Sequence, residues 1–161
     1  MAYIQAGAAA LYSRKGNRYK SVSALTAAVG AALSVNDAVL DGEIVYLGPD
    51  GTPQCYDLMR RRSPHFYYAF DILVLNGRDL RAVPLIERKR RLRNLIPPCT
   101  ALSPIRYVEH FLERGVDLFH SVCDRDLEGI VAKHGSGLYR PEATTWGEDQ
   151  KHNLQPSGGP R

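Results

Sequence analysis

The stretch Asp126-Leu127-Glu128-Gly129-Ile130-Val131-Ala132-Lys133 sets a carboxylate and an ammonium at the two ends of a short apolar run. Strand alternation puts Glu128, Ile130 and Ala132 on one face and Gly129, Val131 and Lys133 on the other. The pattern predicts a short buried strand bracketed by charge; alone, it also reads as an ordinary strand with charged ends. A second acid pair flanks a glycine in Asp41-Gly42-Glu43, inside an apolar pattern that runs from Ala38 to Leu47. A glycine inside a strand marks a place where a ligand can come close to the backbone, here beside a carboxylate. Arg14 stands in the polar turn Ser13-Arg14-Lys15-Gly16-Asn17, where Gly16 or Asn17 can take a positive φ. A guanidinium on such a turn could grip a phosphate, and a plain hairpin turn is the competing reading. Phe70 lies in the aromatic run Phe66-Tyr67-Tyr68-Ala69-Phe70, where one ring could stack on a base, although rings at this spacing are commonly core.

These side chains need a scaffold, and the pattern supplies one. Two short strands, Ala2 to Gln5 and Ala9 to Ser13, join near Gly7. Ser21-Val22-Ser23 can cap a helix that runs to about Leu33. The strand Ala38 to Leu47 ends at the turn Gly48-Pro49-Asp50-Gly51, and a short helix is expected over Tyr56 to Arg62. Phe66 to Leu75 reads as a buried strand stopped by Asn76-Gly77. Pro84 opens a helix whose apolar stripe is Leu85, Leu92, Leu95 and Ile96, and Pro97-Pro98 end it. A strand over Ile105 to Val108 follows, then a helix from Gly115 to Arg125 with Val116, Leu118, Phe119 and Val122 inward. This mixed order predicts an α+β fold of mostly antiparallel sheets with flanking helices.

The 161 residues suit one domain with a real core. Lys and Arg number 21 against 17 Asp and Glu, a net charge of +4, which suggests phosphate-bearing partners. Two clusters carry much of it, Arg60-Arg61-Arg62 and Arg88-Lys89-Arg90-Arg91 with Arg93, and a solvated helix face is the expectation for the second. Cys55, Cys99 and Cys123 are widely spaced and odd in number, which indicates neither a disulfide framework nor a zinc site. A reducing cytoplasm is expected. No run reaches the roughly 18 apolar residues of a membrane span, so no membrane partner is expected.

In order along the chain, Ser13-Arg14-Lys15-Gly16-Asn17, Leu40-Asp41-Gly42-Glu43-Ile44-Val45, Phe70-Asp71-Ile72-Leu73, Gly77-Arg78-Asp79-Leu80-Arg81, Leu127 to Lys133 and Tyr139-Arg140-Pro141 resemble the adenylation domain of ATP-dependent DNA ligases. The similarity is to the bacterial and archaeal forms, including those of bacterial end joining, and runs from about Ala2 to Trp146. It implies the nucleotidyltransferase fold shared with mRNA capping enzymes, ATP-grasp-like in layout. It also implies ATP and Mg2+ as cofactors, nicked or broken double-stranded DNA as partner, and other end-joining or repair proteins nearby. By the resemblance, Arg14 contacts the nucleotide or the nick phosphate, Glu43 the ribose hydroxyl or a metal-bound water, and Phe70 stacks on adenine. Glu128 holds the metal, and Lys133 lies near the phosphates. The family reaction passes AMP from ATP to a lysine amine, then to a 5′-phosphate at a nick, where the 3′-hydroxyl displaces it.

Two departures from the family stand out. Its nucleophile lies in Lys-x-Asp-Gly-x-Arg, and none of Lys15, Lys20, Lys89, Lys133 and Lys151 is followed by x-Asp-Gly. No catalytic lysine is therefore assigned, and Met1 reads as an internal methionine of a longer frame. The family also expects Trp-x-Lys-x-Lys, whereas Trp146 is followed by Gly147-Glu148-Asp149-Gln150-Lys151. Carboxylates there would repel a triphosphate. Any codons for Glu148-Asp149 and for Gln150-Lys151, read after loss of one base, place Lys or Arg at both family positions. The expectation is a partial, inactive adenylation domain over 1–146 and an out-of-frame, non-native tail over 147–161, with exposed sheet edges and marginal stability. A nucleotide-binding or DNA-binding module without catalysis, a decayed gene product, and a related RNA ligase or capping enzyme are the competing readings.

Overall fold

A computed structural model describes residues 1–48, 65–124, 129–140 and 147–150. The elements are β1 (Ala2–Gln5), β2 (Ala8–Leu11), α1 (Ser23–Ala32), β3 (Asp37–Tyr46), β4 (His65–Leu75), β5 (Arg78–Asp79), α2 (Leu85–Leu95), β6 (Ile105–Tyr107), α3 (Gly115–Asp124), β7 (Gly129–Ala132) and β8 (Gly147–Gln150). The first six strands form one sheet in the order β2-β1-β3-β4-β5, with β6 parallel to β4 and every other pairing antiparallel. β7 and β8 form a separate antiparallel pair. The expected short helix over Tyr56 to Arg62 lies outside the described residues.

Alternation explains the main sheet. Ala38, Leu40 and Ile44 of β3 turn the same way and pack with Tyr67, Ala69 and Ile72 of β4, Leu25 and Val29 of α1, and Leu92 of α2. The register of β3 on β4 shifts between Asp41 and Gly42. A Cβ at Gly42 would lie 2.5 Å from the Tyr68 carbonyl oxygen and 2.7 Å from Cζ of Tyr67. The close approach that the sequence suggested for a ligand is thus made by the protein's own Tyr67, whose buried hydroxyl donates to the Leu40 carbonyl at 3.1 Å.

Several local expectations change. No side chain caps α1 at Val22. Val116 is exposed, and Val122 alone of the four expected inward residues on α3 is buried. Val131, Ala132 and Lys133 are exposed, so that end of β7 is not the buried strand its apolar run suggested. The Arg88–Arg93 cluster is not a uniform solvated face. Arg88 is 2% exposed and Lys89 9%, because both sit on the stripe of α2 that carries Leu85 and Leu92.

Candidate functional site

A cleft of about 1350 Å³ opens between the main sheet and the segment from β7 to Arg140. Arg14, Glu43, Phe70 and Lys133 all line it, although they come from four separate stretches of chain. Arg14 is exposed on a turn closed by two hydrogen bonds of 2.9 Å, the Ser13 amide to the Asn17 carbonyl and the Gly16 amide to the Ser13 carbonyl. Gly16 supplies the positive φ of 76° that this turn needs. Glu43 is exposed on β3 one residue past the register shift. Phe70 is half-buried on β4, and the Lys133 ammonium stands 5.1 Å from the centre of its ring. Glu128 lies outside the described residues.

The same cleft holds a second set of side chains. Asp71 is buried on β4 and takes a two-pronged grip from Arg88, Nε to Oδ1 at 2.8 Å and Nη2 to Oδ2 at 2.9 Å. The third nitrogen of that guanidinium donates to the carbonyls of Val83 and, at 3.3 Å, Gly137. Residues after β7 are then fastened to the start of α2. The Leu85 amide donates to the Gly137 carbonyl and the Ile86 amide to the Gly135 carbonyl, both at 2.9 Å. Those carbonyls satisfy helix donors for which α2 has no side-chain cap. Tyr139 continues the strap, its amide donating to the Arg81 carbonyl at 2.9 Å and its hydroxyl to Asp41 Oδ2 at 3.4 Å.

Burial raises the Asp41 carboxyl above its usual range, against the opposing pull of the N-terminal ammonium and Lys133. Burial, together with the Asp41 and Asp71 carboxylates, pushes the Tyr139 phenol up to about 12. The cleft therefore offers an exposed carboxylate at Glu43, an aromatic face at Phe70 and cations at Arg14, Lys133 and Arg140. A flat apolar ring suits a base, a carboxylate suits a sugar hydroxyl, and arginine and lysine suit phosphate.

Residues 2–147 match the family model described as the ATP dependent DNA ligase domain. The chain belongs to the ATP-dependent DNA ligase family. It is 35% identical over 126 residues to a DNA ligase of Natronomonas pharaonis, covering 70% of this chain and 22% of that protein. It is 31% identical over 145 residues to the multifunctional non-homologous end joining protein LigD of Pseudomonas aeruginosa, covering 87% of this chain and 17% of that one. The ligase domain of M. tuberculosis LigD superposes with a TM-score of 0.76 at 25% identity, over 92% of this chain and 49% of that domain. Mycobacterial DNA ligase D, solved complexed with ATP and MES, superposes at 0.73 with 26% identity, over 93% and 50%. The α+β fold with its antiparallel sheet and flanking helices is thus that of the ligase adenylation domain. The chain spans roughly a fifth of these two ligase-family relatives and about half of the two solved ligase chains. Among the described residues no helix is long and apolar enough to cross a membrane.

Four residues named from the ordered motifs line one cleft, but the motifs left out the Asp71–Arg88 pair beside them. Arg88 falls three residues after Leu85 and four before Leu92, so helical spacing alone puts it on the buried stripe. An aspartate inside the apolar run of β4 requires a partner. Those two signals together identify the Asp71–Arg88 pair. The link from Tyr139 to Asp41 spans 98 residues and has no sequence signal.

Proposed function

We propose that these 161 residues are part of the adenylation domain of an ATP-dependent DNA ligase, holding ATP with magnesium in the cleft for the sealing of nicked or broken double-stranded DNA. One observation carries the reading: Arg14, Glu43, Phe70 and Lys133 converge on a single cleft. Phe70 takes the adenine, Glu43 the ribose hydroxyl or a metal-bound water, and Arg14 and Lys133 the phosphates. A base stacked on the face of Phe70 that Lys133 covers must displace that ammonium.

Magnesium fits the donors of this cleft. It is a hard cation that takes one or two carboxylates together with substrate phosphates rather than an all-protein cage. Glu43 offers such an oxygen, and Glu128 is the second carboxylate the reading assigns to it. Bound with ATP, the ion would neutralise charge on the phosphates.

The 161 residues contain no Lys-x-Asp-Gly-x-Arg, so the reading within them stops at non-covalent binding. Position 148 pairs with Val131, itself a residue of the cleft wall, so the reading frame after Trp146 bears on how well the phosphates are held. We take residues 147–161 to be out of frame, and resequencing the gene through the Trp146 codon tests this. A reducing cytoplasm suits the free thiols of Cys99 and Cys123.

Radiolabelled ATP with magnesium tests the function. Equilibrium dialysis should show reversible binding that Phe70→Ala weakens about fivefold or more, from a stacking contribution of about 1–3 kcal/mol. No label should survive denaturation. Absence of ATP binding, together with salt-sensitive binding of DNA, would replace this reading with that of a plain nucleic-acid module.

A further inference from the structure

A second cavity, of about 390 Å³, lies between the outer side of α2 and residues 107–110, and it shares no lining residue with the nucleotide cleft. The charged and aromatic residues Glu87, Lys89, Arg90, Arg93, Tyr107, Glu109 and His110 line it. Both carboxylates are already engaged. Glu87 pairs with Arg90 at 2.9 Å and Arg91 at 3.1 Å, and Glu109 pairs with Arg93. Lys89 is different. Lys89 as a residue is 9% exposed, and its ammonium stands 5.1 Å from the centre of the Tyr107 ring and donates to the Val108 carbonyl at 3.1 Å. No carboxylate forms an ion pair with it among the described residues. An ammonium has three donors, and a buried cation that no carboxylate contacts directly is costly. The His110 ring, which also lines the cavity, shares a 2.9 Å hydrogen bond with the Tyr107 hydroxyl.

We infer that this cavity is an oxyanion site that takes one phosphate-type group between Lys89 and His110. The volume admits such a group, and neither Lys89 nor His110 forms an ion pair with the two carboxylates that line the cavity. Electrostatics agree with the geometry. Burial lowers Lys89 to about 8, with Asp71 pulling it up and Lys133 down. Burial and then the Lys89 charge lower His110. An anion between them reverses both effects, so binding takes up a proton and strengthens as pH falls through the His110 titration. The other charged groups around the cavity, Glu87 with Arg90 and Arg91 and Glu109 with Arg93, are paired with one another. The phosphate can belong to a nucleic-acid backbone or to a free phosphate or phosphomonoester, because the recognising chemistry is the same.

The test follows the histidine ring protons by NMR in the full 161-residue chain, with His110→Asn assigning the signal. Inorganic phosphate, compared with chloride at equal ionic strength, should raise the His110 pKa, and Lys89→Met should abolish the rise while Lys89→Arg retains it. A blunt duplex without terminal phosphates provides the second arm. If its backbone is the source, Lys89→Met lowers the slope of log affinity against log salt by about 0.9, the value for one phosphate contact. A response to inorganic phosphate with an unchanged duplex slope assigns the site to free phosphate. If neither arm responds to Lys89→Met or to His110→Asn, the inference fails, whatever ATP does in the cleft. Should Lys89→Met not fold, the absence of a phosphate-specific shift in wild-type His110, together with an unchanged duplex slope in His110→Asn, overturns it equally.

Discussion

The wall of the cleft made by β3 and β4 is backed by the main core, whereas residues 134–140 on the facing wall are tied to α2, Arg81 and Asp41 by directed hydrogen bonds and one guanidinium. On the sheet side, Leu40 and Ile72 are fully buried, and burying each such side chain contributes about 1.5–3 kcal/mol. Many such contributions overlap there, so no single residue decides the shape. On the strap side, Arg88 alone joins Asp71, Val83 and Gly137. One wall is held by packing and the other by directed polar contacts, and Phe70 and Lys133, which meet across the cleft, belong to opposite walls.

The largest effect should come from breaking the strap. Arg88→Met leaves the Asp71 carboxylate buried without its partner and should cost about 3–5 kcal/mol. Urea unfolding measures the loss, and hydrogen exchange should show the amides of Leu85, Ile86 and Tyr139 opening before those of β3. If all these amides open together with β3, the two walls are one unit and the contrast is wrong.

Breaking the sheet wall should cost less. Gly42→Ala presses a methyl group into Tyr67 and the Tyr68 carbonyl, and overpacking of this kind costs about 1–3 kcal/mol. Tyr67→Phe should not rescue it, because the backbone oxygen at 2.5 Å remains. A full rescue in thermal melts would show that the tyrosine hydroxyl alone demands the glycine.

The smallest effect reverses sign. Asp41 has a raised pKa because burial opposes its charge, so the native state holds its proton more tightly than the unfolded chain. Stability then falls as pH rises from the unfolded carboxyl value, about 3.9, through the higher native one, and the deficit persists at neutral pH. Asp41→Asn should therefore melt higher than wild type at pH 7 and lose that gain below about pH 3.9. A lower melting point at pH 7 would mean that the Tyr139 hydrogen bond outweighs the burial of charge, tying the two walls more closely than their contacts suggest.

Legibility followed the same division. Alternation in Ala38 to Leu47 and Phe66 to Leu75 announced β3 and β4 to within a residue, because packing against one core imposes a period that the sequence must carry. The motifs brought Arg14, Glu43, Phe70 and Lys133 to one site. The strap was not legible. Gly135 and Gly137 act through their carbonyls, which every residue has, and the exposed β7 face broke the rule that an apolar run is buried. Arg88 was hidden by its company, since three neighbouring cations made it look solvated although its helical position was that of a core residue.

The helix α2 borrows its amino-terminal acceptors from residues about fifty positions further along the chain, and this orders events in time. During synthesis the helix leaves the ribosome with the Leu85 and Ile86 amide donors open, and these are not satisfied until residues 135 and 137 have followed. Closing that loop adds an entropic step that local helix formation cannot supply. The last-made part of the cleft therefore completes the capping of a helix made much earlier.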